Sequence, residues 1–285
     1  MPQSFSLLMP KRRTSCAVFS SPHSGTYYPA DFLSESKLDR NEIRSSEDAF
    51  VDQLFASTVD YGAPMLAATY PRAYVDLNRA PDELDPALIN DITAKANNPR
   101  VLAGLGVIPR VVSEGKSIRD GKISHAEAKN RLRTAYHPYH ECLKMLLDEQ
   151  REKFGLGILF DCHSMPHDAL TSAPLVSGYR PNIILGDRFG ASAPRWLTDA
   201  ASEILTKHGF TVARNAPFAG GYITRHYGRP SQNIYALQIE IDRALYMNER
   251  SITMLPEFED VLMRLTGAVA QLASVGGAAV PLAAE

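Results

Sequence analysis

The sequence predicts a mixed α/β fold in which a mostly parallel central sheet carries helices on both faces. Short apolar segments with strand character alternate along the chain with longer segments whose apolar residues recur at helical spacing. The 285 residues are 45% hydrophobic and 22% charged, an ordinary composition for a globular protein. This length favours a single domain over residues 1–285, with a long excursion at about 80–122 and a loose tail at about 275–285.

The N-terminal half is predicted to place one helix between short strands. Apolar residues recur close to helical spacing over 47–61. Ser46 is positioned to cap this helix, with Glu47 and Asp48 in the first turn, where carboxylates suit the helix dipole. Short apolar runs bounded by turn residues predict the strands of this half, at residues 16–20, 65–69 and 73–77.

The C-terminal half repeats this alternation. Helical spacing returns over 124–154, where Pro138 is expected to start a new helical segment. Residues 215–230, which contain two consecutive glycines, are predicted to form a loop. The other predicted helices cover 194–208 and 255–272, and the predicted strands cover 157–162, 182–185, 210–213 and 233–241.

Charge and cysteine content exclude several classes of protein. The formal net charge of −2 offers no basic excess for non-specific binding of nucleic acid. The three cysteines are odd in number and form no CxxC pair, which disfavours a disulfide scaffold or a thiolate zinc site and suits the cytoplasm. We expect no membrane partner, because no apolar run is long enough to span a bilayer. At the N-terminus the apolar run precedes the positive charges, the reverse of a secretory signal.

Polar residues at the ends of predicted strands are the candidates for chemistry, because ligands collect beyond the carboxyl ends of parallel strands. His23 and His163 each follow an apolar strand in a tight polar turn, and two such imidazoles suit a zinc site. The alternative is that each histidine only hydrogen-bonds its turn. Glu240 lies among apolar neighbours in the last strand, where burial would raise its pKa toward that of a general base. The alternative for Glu240 is an ion pair with Arg243 or another arginine.

Further polar residues are candidates for binding a substrate. Arg79 with Asn78 could clamp a carboxylate through parallel hydrogen bonds. Arg225 lies in the glycine-containing loop, which is either able to close over a ligand or a simple solvent loop. His140, three residues after His137, is more readily explained by packing or by a supporting hydrogen bond than by a second metal site. A serine nucleophile is disfavoured because no GxSxG motif occurs.

Six motifs resemble those of the N-formylglutamate amidohydrolases, in the family's order and over residues from about 17 to 247. DCHSMP and the NAPFAGGY segment are the specific ones among them. The motifs are PHSG at 22–25, VDLNR at 75–79, HPYH at 137–140, DCHSMP at 161–166, NAPFAGGYI at 215–223 and LQIEIDRALYM at 237–247.

The resemblance implies a fold like that of the zinc carboxypeptidases (phosphorylase/hydrolase-like), to which the family and the aspartoacylase-type deacylases are related. His23 and His163 are similar to the two histidine ligands of zinc in those relatives. The relatives' glutamate ligand is replaced by Thr26 here, so a third ligand is expected elsewhere. The SEDAFVDQL segment resembles the family's TDWHVDRL pattern, which favours Asp48 as that ligand, with Glu47 as the alternative.

The resemblance also implies an activity, namely zinc-dependent hydrolysis of N-formyl-L-glutamate to formate and L-glutamate in histidine degradation. It makes Glu240 the catalytic carboxylate and assigns Arg79, or Arg225, to the oxyanion. Asn78 and Arg79, with Arg225 and Tyr222, are expected to hold the substrate. The alternatives are Mn²⁺ or Co²⁺ in place of Zn²⁺, a deacylase for succinyl or acetyl groups, and a metal-free protein that binds acidic amino acids. The sequence does not indicate an oligomeric state.

Overall fold

Strands and helices alternate along the part of the chain that the computed structural model describes, residues 3–93 and 98–277. The strands are β1 Phe5–Leu8, β2 Ala17–Ser21, β3 Met65–Ala68, β4 Gly157–Met165, β5 Ile183–Gly186, β6 Val212–Arg214, β7 Ile234–Asp242, β8 Met247–Asn248 and β9 Thr253–Met254. The α-helices are α1 Ala30–Ser34, α2 Val51–Leu54, α3 Pro99–Leu102, α4 His125–Arg131, α5 His137–Phe154, α6 Arg195–Lys207, α7 Tyr222–Tyr227 and α8 Phe258–Leu272.

Seven strands form the central sheet, in the order β1-β3-β2-β4-β7-β5-β6. β3, β2, β4 and β7 run parallel to one another, β1 is antiparallel to β3, and β5 is antiparallel to β7. β8 and β9 pair separately as a short antiparallel ribbon. The predicted mixed, mostly parallel sheet is therefore confirmed.

Two hydrophobic cores lie on opposite faces of this sheet because successive strand residues point to opposite sides. In β4, Ile158 and Phe160 belong to the core that contains residues of α2, α6 and α8. Leu159, between them, belongs to the core that contains residues of α4 and α5. This strand is buried at every position, as expected for a central strand covered by helices on both faces.

Several predicted elements differ from the structure. No strand forms at 73–77 in the described ranges, because the amides of Tyr74 and Val75 hydrogen-bond back to the carbonyl of Pro71 in a tight turn. The helix expected over 47–61 is reduced to α2 and a following 3-10 turn, Ala56–Tyr61. Phe50 stands immediately before α2 with a φ of 66°, so Glu47 and Asp48 lie outside any helical turn.

Other differences add structure where the sequence pattern was weak. β1 was not predicted, and α7 lies inside the segment predicted as a loop. α4, a π-helical turn at Leu132–Tyr136 and α5 follow one another without a break at Pro138. The excursion at 80–122 contains α3 and a 3-10 turn, Ser113–Gly115, while residues 94–97 lie outside the described ranges. The tail predicted at 275–285 also lies outside them from residue 278 onward.

Candidate active site

A cavity of about 480 Å³ opens at the carboxyl ends of the parallel strands. His23 follows β2, His163 lies near the end of β4, and Glu240 lies near the end of β7. All three residues line the cavity, together with Asp48. The parallel pairing of β2, β4 and β7 is what brings these side chains to one edge of the sheet.

The two histidines are each held through Nε2 by a buried carboxylate. The Nε2 atom of His23 lies 2.8 Å from Oδ1 of Asp76, and that of His163 lies 2.9 Å from Oδ2 of Asp161. A carboxylate can only accept, so Nε2 of each ring carries the hydrogen and donates it. In the neutral ring the lone pair is then on Nδ1, which is the tautomer a metal ligand needs when the other nitrogen is held in this way.

Asp48 brings a carboxylate oxygen to both Nδ1 atoms. Its Oδ2 lies 3.4 Å from Nδ1 of His23 and 3.0 Å from Nδ1 of His163. The backbone amide of Asp48 donates to the carbonyl of His23 at 3.0 Å, which fixes the acidic segment against the turn after β2. Glu47 is instead engaged by Arg44 and Tyr28. The structure therefore places Asp48, and not Glu47, beside the histidines.

These three residues fit a divalent cation. One ligand atom from each of His23, Asp48 and His163 lies within 4.8 Å of the other two, and all three side chains are buried. His23 Nδ1 is buried without a hydrogen-bond partner among the described residues, which is costly unless another group satisfies the lone pair. Two imidazole nitrogens and one carboxylate oxygen are ligands that Zn²⁺ accepts in sites with an open position.

The electrostatics of the site keep its carboxylates ionised, the form that binds a cation. Burial alone would lower the pKa of His163, but the charge of Asp161 and the hydrogen bonds to Asp161 and Asp48 raise it well above 6.5, so a cation has to displace a proton from this ring. Burial alone would raise the pKa of Asp48, but its contacts with His163 and His23 hold that pKa well below 3.8. Burial would likewise raise the pKa of Asp76, but the charges of Arg72 and His23 hold it well below the same value. Both carboxylates are therefore ionised at neutral pH, one beside the Nδ1 atoms and one behind the His23 ring.

Glu240 lies opposite His163 in the β4–β7 pair. Only 7% of its surface is exposed, and burial raises the pKa of its carboxyl to about 7. Its Oε1 accepts a hydrogen bond from Nε2 of Gln238 at 2.7 Å. The ion pair with Arg243 that the sequence left open does not form, because Arg243 donates to Oδ1 of Asp48 at 3.0 Å and to Ser164.

The cations that line the cavity are not the ones that the sequence favoured. Arg72, Arg100 and Arg243 line it, whereas Arg79 does not. Arg79 is buried, with its Nε 3.7 Å from Oδ2 of Asp76. Its role in binding substrate or oxyanion stays a prediction.

The other predicted substrate-binding residues are divided between the cavity and its surroundings. Asn78 lines the cavity, but its Oδ1 accepts the backbone amide of Ile223 at 2.8 Å. Tyr222 and Arg225 belong to α7, and neither is among the residues that line the cavity. The guanidinium of Arg225 is exposed and lies 5.7 Å from the centre of the Tyr222 ring. Substrate binding by these three residues also stays a prediction.

The segment with two glycines is held in place in this structure. Gly221 donates its amide to Oε1 of Gln238 at 2.8 Å, and Ile223 donates its amide to Oδ1 of Asn78. A Cβ on Gly221 would lie 2.3 Å from the Asn78 side chain, so the close approach requires glycine. Gly220 and Gly221 line the cavity, so this part of the segment is not a simple solvent loop, whereas Arg225 is exposed outside the cavity.

Sequence reasoning missed several residues of the site. Asp161 could have been found, because it precedes His163 by two positions in a strand and so shares its face. Gln238 stands in the same relation to Glu240. Arg72 gave no signal, because its place in the cavity depends on the turn at Pro71. His140 donates its Nε2–H to the carbonyl of Leu77 at 2.9 Å, a hydrogen bond to the segment that carries Asn78 and Arg79.

The fold and this site define an α/β protein with a candidate metal centre at the carboxyl ends of its parallel strands. Comparisons with known proteins identify its family. The family model described as N-formylglutamate amidohydrolase matches residues 15–247. The chain belongs to the N-formylglutamate amidohydrolase family, as the motifs predicted.

Curated relatives and solved structures agree with this assignment. The chain is 31% identical over 239 residues to an N-formylglutamate deformylase of Pseudomonas putida, covering 81% of this chain and 82% of the relative. It is 30% identical over 249 residues to the protein of the same name from Pseudomonas aeruginosa, covering 85% of each. The crystal structure of an N-formylglutamate amidohydrolase from Ralstonia eutropha JMP134 superposes with a TM-score of 0.90 at 34% identity, covering 97% of this chain and 99% of the other.

A more distant structure shares the fold alone. It is a gene product of Agrobacterium tumefaciens, with a TM-score of 0.64 at 18% identity and 96% of both chains covered.

None of the helices in the described ranges is both long enough and apolar enough to span a membrane.

Proposed function

We propose that this chain hydrolyses N-formyl-L-glutamate to formate and L-glutamate, using Zn²⁺ held by His23, Asp48 and His163. The observation that carries the proposal is the approach of Asp48 Oδ2 to the Nδ1 atoms of both histidines at 3.4 and 3.0 Å. The names of the relatives support the substrate. When bound, the cation supplies a Lewis acid that activates water and polarises the formyl carbonyl.

Glu240 is the proton carrier in this proposal. A carboxyl with a pKa of about 7 can accept a proton from the attacking water and return it to the leaving amine near neutral pH. Its position on β7 opposite His163, one of the proposed ligands, supports this role. Near neutral pH both the protonated and the ionised form of Glu240 are populated, and a residue that first accepts and then returns a proton needs both.

Arginines of the cavity are proposed to bind the two carboxylates of the substrate. Arg243 already donates to Asp48, Ser164 and a backbone carbonyl, so it has little capacity left. Arg72 donates Nε to Asp76 at 3.0 Å and keeps its terminal nitrogens for a ligand in the cavity that it lines. Arg100 is exposed and lines the same cavity. We therefore propose that Arg72 and Arg100 bind the carboxylates of the substrate. The residues that the sequence favoured for substrate binding, Asn78, Arg79, Tyr222 and Arg225, remain candidates for further contacts.

Compartment and pathway belong to the proposal as well. The three cysteines are free and buried, which fits the reducing cytoplasm. The supply of substrate by histidine degradation is implied by the family resemblance and stays a prediction.

A substrate panel tests the activity and its acyl specificity. Zinc-loaded protein is assayed for release of the acid from N-formyl, N-acetyl and N-succinyl glutamate, and from N-formylglutamine. We expect release of formate from N-formylglutamate to be the fastest reaction by at least about tenfold. A faster release of acetate or succinate would show that the enzyme prefers another acyl group. No release from any compound would favour a protein that only binds acidic amino acids.

The Glu240→Gln variant tests the proton carrier. The amide keeps the size of the side chain but cannot accept a proton, so formate release should fall by about 10²- to 10⁴-fold. Zinc content and thermal unfolding should match the wild type, because Glu240 is not one of the three proposed ligands. Undiminished turnover in this variant would remove Glu240 from the reaction.

A further inference from the structure

A buried glutamine links the cavity wall to the proposed proton carrier. Gln238 lies two residues before Glu240 on β7, and only 3% of its surface is exposed. Its Oε1 accepts the backbone amide of Gly221 at 2.8 Å, and its Nε2 donates to Oε1 of Glu240 at 2.7 Å. Both ends of the side-chain amide are therefore engaged.

The orientation of this amide follows from hydrogen-bond chemistry. A backbone N–H can only donate, so the oxygen of Gln238 has to face Gly221. The NH₂ group is then left facing Glu240, where it can only donate. A donor at this place binds the carboxylate in one orientation and favours its ionised form, which is the form that accepts a proton.

The approach of the glycine segment to Gln238 is built into the sheet. Gly186 of β5 is paired with Gln238 of β7. A Cβ on Gly186 would lie 2.8 Å from the backbone of Ala219 and Gly220, so a larger residue there would push the segment away. Pro217, Phe218, Ala219, Gly220 and Gly221 all line the cavity, so the segment that Gln238 holds is part of the wall against which a substrate lies.

We propose that Gln238 is a positioning residue that orients Glu240 for proton transfer and fixes the 217–221 wall to the same strand. This inference rests on the proposed function only for its catalytic half. The structural half, the anchoring of the wall, can be measured without any turnover.

Two substitutions separate the two contacts. In Gln238→Glu an oxygen still accepts the Gly221 amide, but the group facing Glu240 becomes a second carboxyl oxygen. In Gln238→Met both contacts are lost. Gln150→Met is the matched control, because Gln150 is a fully buried glutamine on α5 that donates to a backbone carbonyl and does not line the cavity.

Kinetics, zinc content and amide exchange are measured for each variant. We expect Gln238→Glu to lower kcat by about tenfold or more with little change in KM. Its kcat/KM profile should move to higher pH on the acid side, because two facing carboxyls share a proton. Gln238→Met should lower kcat similarly and also raise KM, and exchange of the Gly221 amide should speed up by about tenfold for the lost hydrogen bond. All variants should bind zinc as the wild type does.

The outcomes distinguish the inference from the function on which it partly rests. Kinetics within twofold of the wild type in both Gln238 variants would overturn the positioning of Glu240, as would losses that the Gln150→Met control reproduces. Unchanged exchange at Gly221 in Gln238→Met would overturn the anchoring of the wall. A wild type that releases no formate would instead overturn the proposed function and the catalytic half together, while the exchange result would still decide the anchor.

Discussion

Replacement of Asp161 tests how the ring of His163 is prepared to bind a cation. The Asp161 carboxylate is fully buried, and its Oδ2 accepts from Nε2 of His163 at 2.9 Å. The other group near that nitrogen is Nδ2 of Asn78, at 3.4 Å. Asn78 cannot turn its oxygen toward the ring without losing its bond to Ile223. In Asp161→Ala the remaining neighbour is therefore a donor, which favours the tautomer with its hydrogen on Nδ1 and so opposes metal binding.

The size of the effect follows from the contact that is lost. A hydrogen bond to a charged group contributes about 1.5–3 kcal/mol. At about 1.4 kcal/mol per factor of ten, Asp161→Ala should bind Zn²⁺ about 10- to 100-fold more weakly. Asp161→Asn retains an oxygen that can accept the same N–H but lacks the charge, so its loss should be about tenfold or less.

Competition with a chromophoric chelator measures these affinities directly. Asp187→Asn is the control, since Asp187 is a buried carboxylate that bonds Thr198 and Asn215 and neither histidine. Circular dichroism verifies that each variant is folded. Wild-type zinc affinity in both Asp161 variants would refute the argument that this carboxylate sets the tautomer.

Two further predictions concern substrate selection and acid stability. If Arg100 binds the side-chain carboxylate, Arg100→Gln should raise KM for N-formylglutamate by about tenfold, because a charged hydrogen bond is lost, and should change KM for N-formylglutamine less than twofold. Equal increases for both substrates would place Arg100 at the α-carboxylate instead, and an unchanged KM for both would remove it from recognition. Burial lowers the pKa of His140 from 6.5 to about 3, so the unfolded chain binds a proton that the folded protein does not over that interval. The free energy of unfolding should therefore fall as the pH drops below 6.5, and this group should contribute about 2 kcal/mol of that loss between pH 7 and pH 5. Chemical denaturation of His140→Gln should show a pH dependence that lacks this contribution. The same pH dependence in both proteins would contradict the role of His140.

The central strands could be predicted because their sequences are unambiguous. GILFDC and NIYALQIEI are apolar runs with turn residues at their borders, and both are buried strands, β4 and β7. Polar residues at the carboxyl ends of parallel strands must share an edge of the sheet, so the meeting of His163 and Glu240 followed from the pattern. The predicted strand at 157–162 was too short, because β4 continues through His163 to Met165.

Residues placed by turns could not be predicted in the same way. Asp48 fits a helix start by its neighbours, but the left-handed backbone of Phe50 interrupts that pattern, and the Asp48 carboxylate lies beside the histidines. The meeting of Asp48 with His23 is a contact between two loops, and hydrophobic periodicity carries no information on it. Arg72 enters the cavity only because residues 71–75 form a turn where the sequence indicated a strand.

The most direct test of the proposed cation site is a zinc titration of chelator-stripped protein, followed by formate release from N-formylglutamate. We predict that the stripped wild type is inactive, that activity rises linearly to an end point at about one equivalent of Zn²⁺, and that His163→Ala shows no such end point. Full activity in stripped protein that retains almost no zinc, or an unchanged end point in His163→Ala, would contradict a catalytic cation held by His23, Asp48 and His163.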